Sequence, residues 1–337
     1  MEITVLGIDL AKKVFQLHGI NVLGKESLRK KVSRNELLRF VANLKPCVVA
    51  MEACGSSYYW GREFRKLGHE IKLIPAQFVK PFVKTNKNDA NDAEAIVEAA
   101  LRPNIRCIPI KEFEHQDMQC LHRSRERLVK QKVALINQIR GFFQEYGVLT
   151  PDSRHKIISG LALLIEKSEA KLSPMIREVL LDLREELKGV MERIEAMEKK
   201  IERLFKQNEV CQLLETIPGV GLLTATAVFA AVPDPGQFKN GRHFSASIGL
   251  VPRQHSTGGR SNLLGISKRG DRYLRKLIVH GARTRVSMPC LRSPWLAEVE
   301  KRRGRNKAVV AQANKTARII WAVMSKRKSY QAVLGTV

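Results

Sequence analysis

The chain has 337 residues with an ordinary apolar share of 44%, enough for two or three domains with real cores. Its 59 Lys and Arg stand against 33 Asp and Glu, a balance of +26 that points to a polyanionic partner. Six cysteines without a C-x-x-C pair argue against a zinc site and a disulfide framework and suit a reducing cytoplasm. No apolar run approaches the roughly 18 residues of a membrane span, and no signal segment opens the chain, so neither membrane nor export is expected. The charge is uneven: between Val251 and Lys328 there are 20 basic and 3 acidic residues, or +17.

Residues 3–9, I-T-V-L-G-I-D, form a β-branched run ending on a carboxylate, and 14–20 form a second run, so a hairpin is expected. A strand can present an Asp at its end, where a rigid sheet meets solvent. Taken alone, Asp9 reads as a turn carboxylate closing a hairpin, as most such residues are. Residues 26–32 add a third strand. Ser33-Arg34-Asn35-Glu36 fits a capping box that opens a helix over 34–44, and 47–52 is an apolar strand ending on Glu52. A helix over 58–67 and a strand over 70–74 complete the order β-β-β-α-β-α-β, a mixed sheet with helices packed on it. Residues 85–88 read as a loop. A helix then starts at Asp89 and carries Asp92 on the same face, although acids there also favour the helix dipole.

Asp9, Glu52, Asp89 and Asp92 gain meaning together. Carboxylates a few ångströms apart repel by about 4 kcal/mol per pair at an effective dielectric of roughly 20, so convergence of four requires a cation. Oxygen donors beside phosphate select Mg²⁺, with Mn²⁺ as the alternative. Such ions activate a nucleophile and steady the leaving oxygen of a phosphodiester. The expected sheet order and acid placement resemble those of an RNase H-like nuclease of the RuvC type.

Residues 112–146 read as one long helix, followed by a short apolar segment to Ile165. A second long helix over 173–208 has apolar residues from Ile176 to Leu204 in alternating steps of four and three. That repeat suits a coiled coil; it also suits an amphipathic helix covered by the preceding helix folded back on it. Both hold if hairpins from two subunits pack together, and a homo-oligomer, dimer or tetramer, is expected.

In the basic C-terminal third, 213–225 reads as a helix-hairpin-helix whose Gly219 and Gly221 bring backbone N–H groups to a phosphate, or as a plain helical hairpin. Residues 249–260, G-L-V-P-R-Q-H-S-T-G-G-R, read as a polar glycine-rich loop with little helix or strand signal. Ser256, between Arg253 and Arg260, is a candidate nucleophile there, although by spacing alone an ordinary Ser-Thr-Gly-Gly turn is the stronger reading. Behind it, I-S-K-R-G-D-R-Y-L-R offers Lys268, Arg269, Arg272 and Arg275 for phosphates, and a helix carries His280, Arg283 and Arg285.

The motifs G-I-D-L-A-K, M-E-A-C-G, K-N-D-A-N-D-A-E-A-I, I-P-G-V-G-L-L-T-A, G-L-V-P-R-Q-H-S-T-G-G and I-S-K-R-G-D-R-Y-L-R occur in this order along nearly the whole chain. The combination resembles the insertion-sequence one-hundred-ten family of DEDD transposases, kin to the pilin-gene invertases. The resemblance implies a D-E-D-D quartet on Asp9, Glu52, Asp89 and Asp92 and a serine nucleophile on Ser256, with Thr257 where relatives often carry a second serine. The expected domains are a RuvC-like domain over 1–110, a helical coiled-coil domain over 111–210 and a C-terminal transposase domain over 211–337.

It further implies a Mg²⁺-dependent DNA recombinase guided by a structured bridge RNA that pairs with target and donor DNA, working through a phosphoserine intermediate. Because quartet and serine lie on domains separated by the coil, each active site is expected to combine two subunits. The expected location is the cytoplasm, on the nucleoid when bound to DNA. Two rivals are a RuvC-like nuclease using water as nucleophile and a non-catalytic RNA-binding assembly protein.

Overall fold

The alternating apolar runs at the N-terminus become a five-stranded sheet. In the computed structural model, which describes residues 2–83 and 89–330 and only the backbone at 89 and 90, the chain forms two compact units. One comprises Met1–His115 with Val232–Lys239, the other Gln116–Ala231 with Asn240–Val337.

The first unit contains β1 (Val5–Asp9), β2 (Val14–Ile20), β3 (Glu26–Ser33), α1 (Arg34–Ala42), β4 (Val48–Glu52), α2 (Ser57–Lys66), β5 (Glu70–Ile74), the short α3 (Ala76–Val79) and α4 (Asp89–Ala100). The loop expected at 85–88 lies outside the described residues. The strands lie in the order β3-β2-β1-β4-β5, with β1, β4 and β5 parallel and β2 antiparallel to both its neighbours. Alternation gives the sheet two apolar faces. Leu6, Ile8, Val49 and Met51 pack with Leu37 and Val41 of α1 and Trp60 and Phe64 of α2. Val5, Ala50 and Ile74 pack with Ala95, Ile96 and Val97 of α4. At the start of α1 the Ser33 N–H donates to Glu36 Oε2 at 3.3 Å, the reciprocal half of the capping box.

In the second unit, α5 (Phe113–Glu145, its first three residues belonging to the first unit), α6 (Arg154–Lys167) and α7 (Pro174–Lys206) share one core. The segment before Ile165, read as merely apolar, is the helix α6, which buries Ile157, Leu161 and Ile165 four residues apart. Helices α5 and α7 run antiparallel, since Arg125 meets Glu198 at 2.8 Å through Nε and Gln131 meets Glu186 at 3.1 Å. The 4-3 stripe of α7 is therefore covered by the chain itself: Leu180, Leu187, Val190 and Ile194 are buried with residues of α5 and α6. Of the two readings of the repeat, the preceding helix folded back on α7 is the one seen within the chain. A 4-3 repeat specifies an apolar seam, and here folded-back helices of the same chain fill it.

The chain continues through α8 (Glu209–Glu215), α9 (Leu222–Ala231), α10 (Gly241–Ser247), the hairpin β6 (Pro252–Thr257) and β7 (Arg260–Ile266), then α11 (Arg272–Ser287), α12 (Pro294–Arg303) and α13 (Arg305–Lys326). No helix among the described residues is long and apolar enough to cross a membrane.

Candidate active site

Two of the four predicted acids meet through strand register. β1 pairs with β4 in parallel as far as Ile8 with Met51, so the next residues, Asp9 and Glu52, stand side by side at the C-terminal ends of adjacent strands, about 5 Å apart in backbone. Strand alternation puts Asp9 on the face of Val5 and Gly7, and Glu52 on the face of Val48 and Ala50. That is the face α4 covers. A Cβ on Gly7 would lie 2.5 Å from the Ala93 carbonyl oxygen and 2.6 Å from Val97 Cγ2, so only glycine lets the helix come this close. Ala93 directly follows Asp92, which is half-buried in the first turns of α4. Asp89 begins the same helix; its side chain lies outside the described residues. Among the described residues, no group of three or more His, Cys, Asp or Glu is close enough to hold an ion.

The chemistry of the donor set, carboxylate oxygens alone, fits Mg²⁺ or Mn²⁺ and not a soft metal. Two polar residues in this row escaped the sequence reading. Gln16 pairs with Asp9 in β2 and Lys31 pairs with Gln16 in β3, on the same face by register. The signal was present in the alternation of residues 14–20, where Gln16 and His18 interrupt the apolar side.

Ser256 belongs to the second unit, and its surroundings differ from expectation. Residues 252–266 form a hairpin instead of a loop, with Ser256 opposite Ser261 and Thr257 opposite Arg260. Gly258 and Gly259 have φ of +57° and +75°, the pair of left-handed residues that a two-residue turn joining twisted strands requires. Both strands are exposed almost throughout, which is why no apolar alternation announced them. Gln254 Nε2 donates to Ser256 Oγ at 2.6 Å, a partner the sequence reading missed. Arg253 and Arg260 are exposed on the same arm.

The base of the arm is closely packed. A Cβ on Gly249 would lie 2.5 Å from Arg269 N, and one on Gly270 would overlap the Ser247 carbonyl. Arg275, expected on phosphate, donates from Nη1 to the carbonyls of Ile248 (2.9 Å), which ends α10, and Arg269 (2.7 Å), between β7 and α11. Lys268, in the left-handed region at φ +55°, and Arg269 form this crossing, while Arg272 is exposed on the first residue of α11. The Pro218–Gly221 turn likewise packs on protein: Gly219 sits against Gly281 of α11, whereas nothing lies within 4 Å of where a Gly221 Cβ would be.

Comparison with known proteins decides what these arrangements belong to. Residues 211–298 match the family described as Transposase IS116/IS110/IS902 family, and residues 6–148 match the DEDD-type IS110 family described as a transposase. A probable family 20 transposase of Pseudomonas aeruginosa is 44% identical, over 98% of this chain and 99% of its own length. The chain belongs to the IS116/IS110/IS902 family of transposases. Similar too are the transposase for insertion sequence element IS1111A of Coxiella burnetii (46% identical, 98% of this chain and 92% of that protein) and that for IS1328 of Yersinia enterocolitica (41%, 96% and 98%). The stretch 6–148 holds all four acids and the stretch 211–298 holds the serine hairpin.

In this transposase α11 is tied to α5, α7 and α9 by a buried polar chain. Thr226 Oγ1 donates to the Leu222 carbonyl at 2.7 Å, so His122 Nε2, 3.0 Å away, must carry the ring hydrogen and donate to Thr226. His122 Nδ1 then accepts from the Tyr273 hydroxyl at 2.9 Å. The Arg125 guanidinium, which Glu198 holds, stands near the Tyr273 hydroxyl. Burial, with Arg125 assisting, pushes the His122 pKa down from 6.5 to about 4. A neutral histidine of this kind contributes stability that is fully present above its unfolded pKa and lost as pH falls toward the folded value. Urea unfolding should therefore weaken by about 3 kcal/mol between pH 6.5 and about 4, beyond any carboxylate effect, and His122→Gln should remove that increment. Parallel pH series of the two proteins check it; identical slopes would contradict the buried neutral imidazole.

Proposed function

We propose that this transposase is a bridge-RNA-guided DNA recombinase whose RNase H-like sheet and serine hairpin act on one scissile phosphate. The observation that carries the reading is the adjacency of the two strand ends on which Asp9 and Glu52 stand, beneath α4, the helix whose first residues include Asp89 and Asp92. The strand order β3-β2-β1-β4-β5 supports the RNase H-like assignment. The four acids would hold Mg²⁺ or Mn²⁺, which when bound supplies charge stabilisation at the phosphate.

Ser256 attacks phosphorus: the Oγ–P bond forms as a P–O bond to one strand breaks, the hydroxyl proton leaves, and the departing oxygen takes up a proton. Gln254 holds Oγ without consuming the serine's own hydrogen. The phosphoserine link conserves bond energy, so strands reseal without a nucleotide cofactor. Since quartet and serine belong to different units, sharing of each site between two subunits of a homo-oligomer fits the reading. The +26 charge supports the guide RNA together with target and donor DNA as partners.

The test uses DNA labelled beside the nick, incubated with Mg²⁺ and the RNA that co-purifies with the protein. Label should co-migrate with denatured wild-type protein and vanish with Ser256→Ala. Free ends without any adduct, unaffected by Ser256→Ala, would instead select the nuclease that uses water.

A further inference from the structure

A cleft of about 430 Å³ in the second unit, lined from α5, α9 and α11, contains neither the acid quartet nor Ser256. One wall is small: Ala227, Ala230 and Ala231. The floor is Tyr273, held by His122 through the buried chain described above. Around the opening stand four cations, Arg123 and Lys130 from α5 and Arg272 and Lys276 from α11.

The two acids of the cleft are already used. Glu126 meets Lys276 at 3.0 Å, and the Asp271 carboxylate caps α11 by accepting the Leu274 N–H at 2.9 Å. Arg123, Lys130 and Arg272 make no ion pair with any described residue. On its opposite side α5 does pair its polar groups, Arg125 with Glu198 and Gln131 with Glu186. The contrast matters because like charges gathered in a concavity repel, and an alanine wall screens them less than open water does.

The spacing says what relieves them. Arg123 and Lys130 are seven residues apart on one face of a straight helix, about 10 Å along its axis, too far for one small anion to satisfy both. Arg272 adds the positive end of α11. We propose that this cleft binds the sugar–phosphate backbone of a nucleic-acid strand, with Arg123, Lys130 and Arg272 each meeting a phosphate. The preformed Tyr273–His122 floor keeps the wall rigid, and the three cations lie on the surface, where their replacement leaves the core intact. The proposal stands independently of the nucleophile and of the quartet.

Full-length Arg123→Gln/Lys130→Gln/Arg272→Gln protein, titrated with labelled single-stranded RNA and with duplex DNA between about 50 and 200 mM salt, tests it. The control is Lys156→Gln/Lys167→Gln/Lys171→Gln, which removes three exposed charges from the same unit. For at least one nucleic acid, the slope of log K against log salt should shrink by about 2 to 3 in the cleft variant, and affinity near 100 mM should fall at least tenfold. Loss with RNA alone assigns the cleft to RNA, loss with DNA alone assigns it to DNA, and loss with both makes it common to the two. An unchanged slope, or an equal drop in the control, overturns the proposal. Lysine acetylation of wild-type protein gives a second reading: bound nucleic acid should shield Lys130 several-fold more than Lys156, and equal labelling would count against the cleft.

Discussion

Asp9→Asn should lower strand cleavage at least about a thousandfold while leaving the fold and nucleic-acid affinity intact. A thousandfold is about 4 kcal/mol of transition-state stabilisation, within what a divalent ion supplies at a phosphoryl group. Asparagine keeps the shape of aspartate, so the sheet and the passage of α4 over Gly7 should persist. What it removes is one unit of negative charge from the strand ends where Asp9 and Glu52 adjoin. Two measurements that need no turnover accompany the cleavage assay. Mg²⁺ or Mn²⁺ should raise the melting temperature of the wild type, because a ligand of the folded state stabilises it by mass action, and should do so far less for the variant. Without metal the variant should melt within a few degrees of the wild type, as an intact fold requires. Cleavage within tenfold of wild type, with an undiminished metal response, would remove Asp9 from the site.

How much of this was legible in the sequence depends on how local the cause is. The first unit could be read because each strand carries its alternation and α1 its own Ser33–Glu36 cap, all within a few residues. Register then followed from which faces are apolar, and it brought Asp9 to Glu52 across 43 positions of chain. The serine arm was illegible by the same test: with both faces in water, β6 and β7 have no apolar side to alternate, and only Gly258-Gly259 marked the turn. The α7 stripe was legible as a stripe, but its spacing is silent about which helix covers it, and α5 and α6 do so within the chain. Arg275 is the sharpest case. Its sequence neighbourhood is basic and suggests phosphate; the carbonyls of Ile248 and Arg269 claim its guanidinium, and nothing in the local sequence reveals those acceptors.

The glycines carry the same lesson to its largest effect on stability. Gly189 and Gly281 both lie inside helices, α7 and α11, where intrinsic propensity favours alanine by about 1 kcal/mol. For Gly189 the space is open, since nothing lies within 4 Å of where its Cβ would be, so Gly189→Ala should stabilise the protein by roughly 0.5–1 kcal/mol. At Gly281 the sign reverses. Its Cβ would overlap the carbonyl oxygen of Gly219, and a Cβ on Gly219 would in turn lie 2.8 Å from the carbonyl oxygen of Gly281, so two backbones touch where the Pro218–Gly221 turn meets α11. Neither can yield by rotating a side chain. Gly219 is also at φ +86°, which resists any compensating change to another residue. Gly281→Ala should destabilise the second unit by about 3 kcal/mol or more, in the range of severe overpacking. Chemical unfolding of the two single variants and of the double variant checks this: the sites share no contact, so their effects should add within about 0.5 kcal/mol. A Gly281→Ala protein as stable as wild type would mean that the turn stands away from α11, leaving Gly219 and Gly221 both free to meet a phosphate.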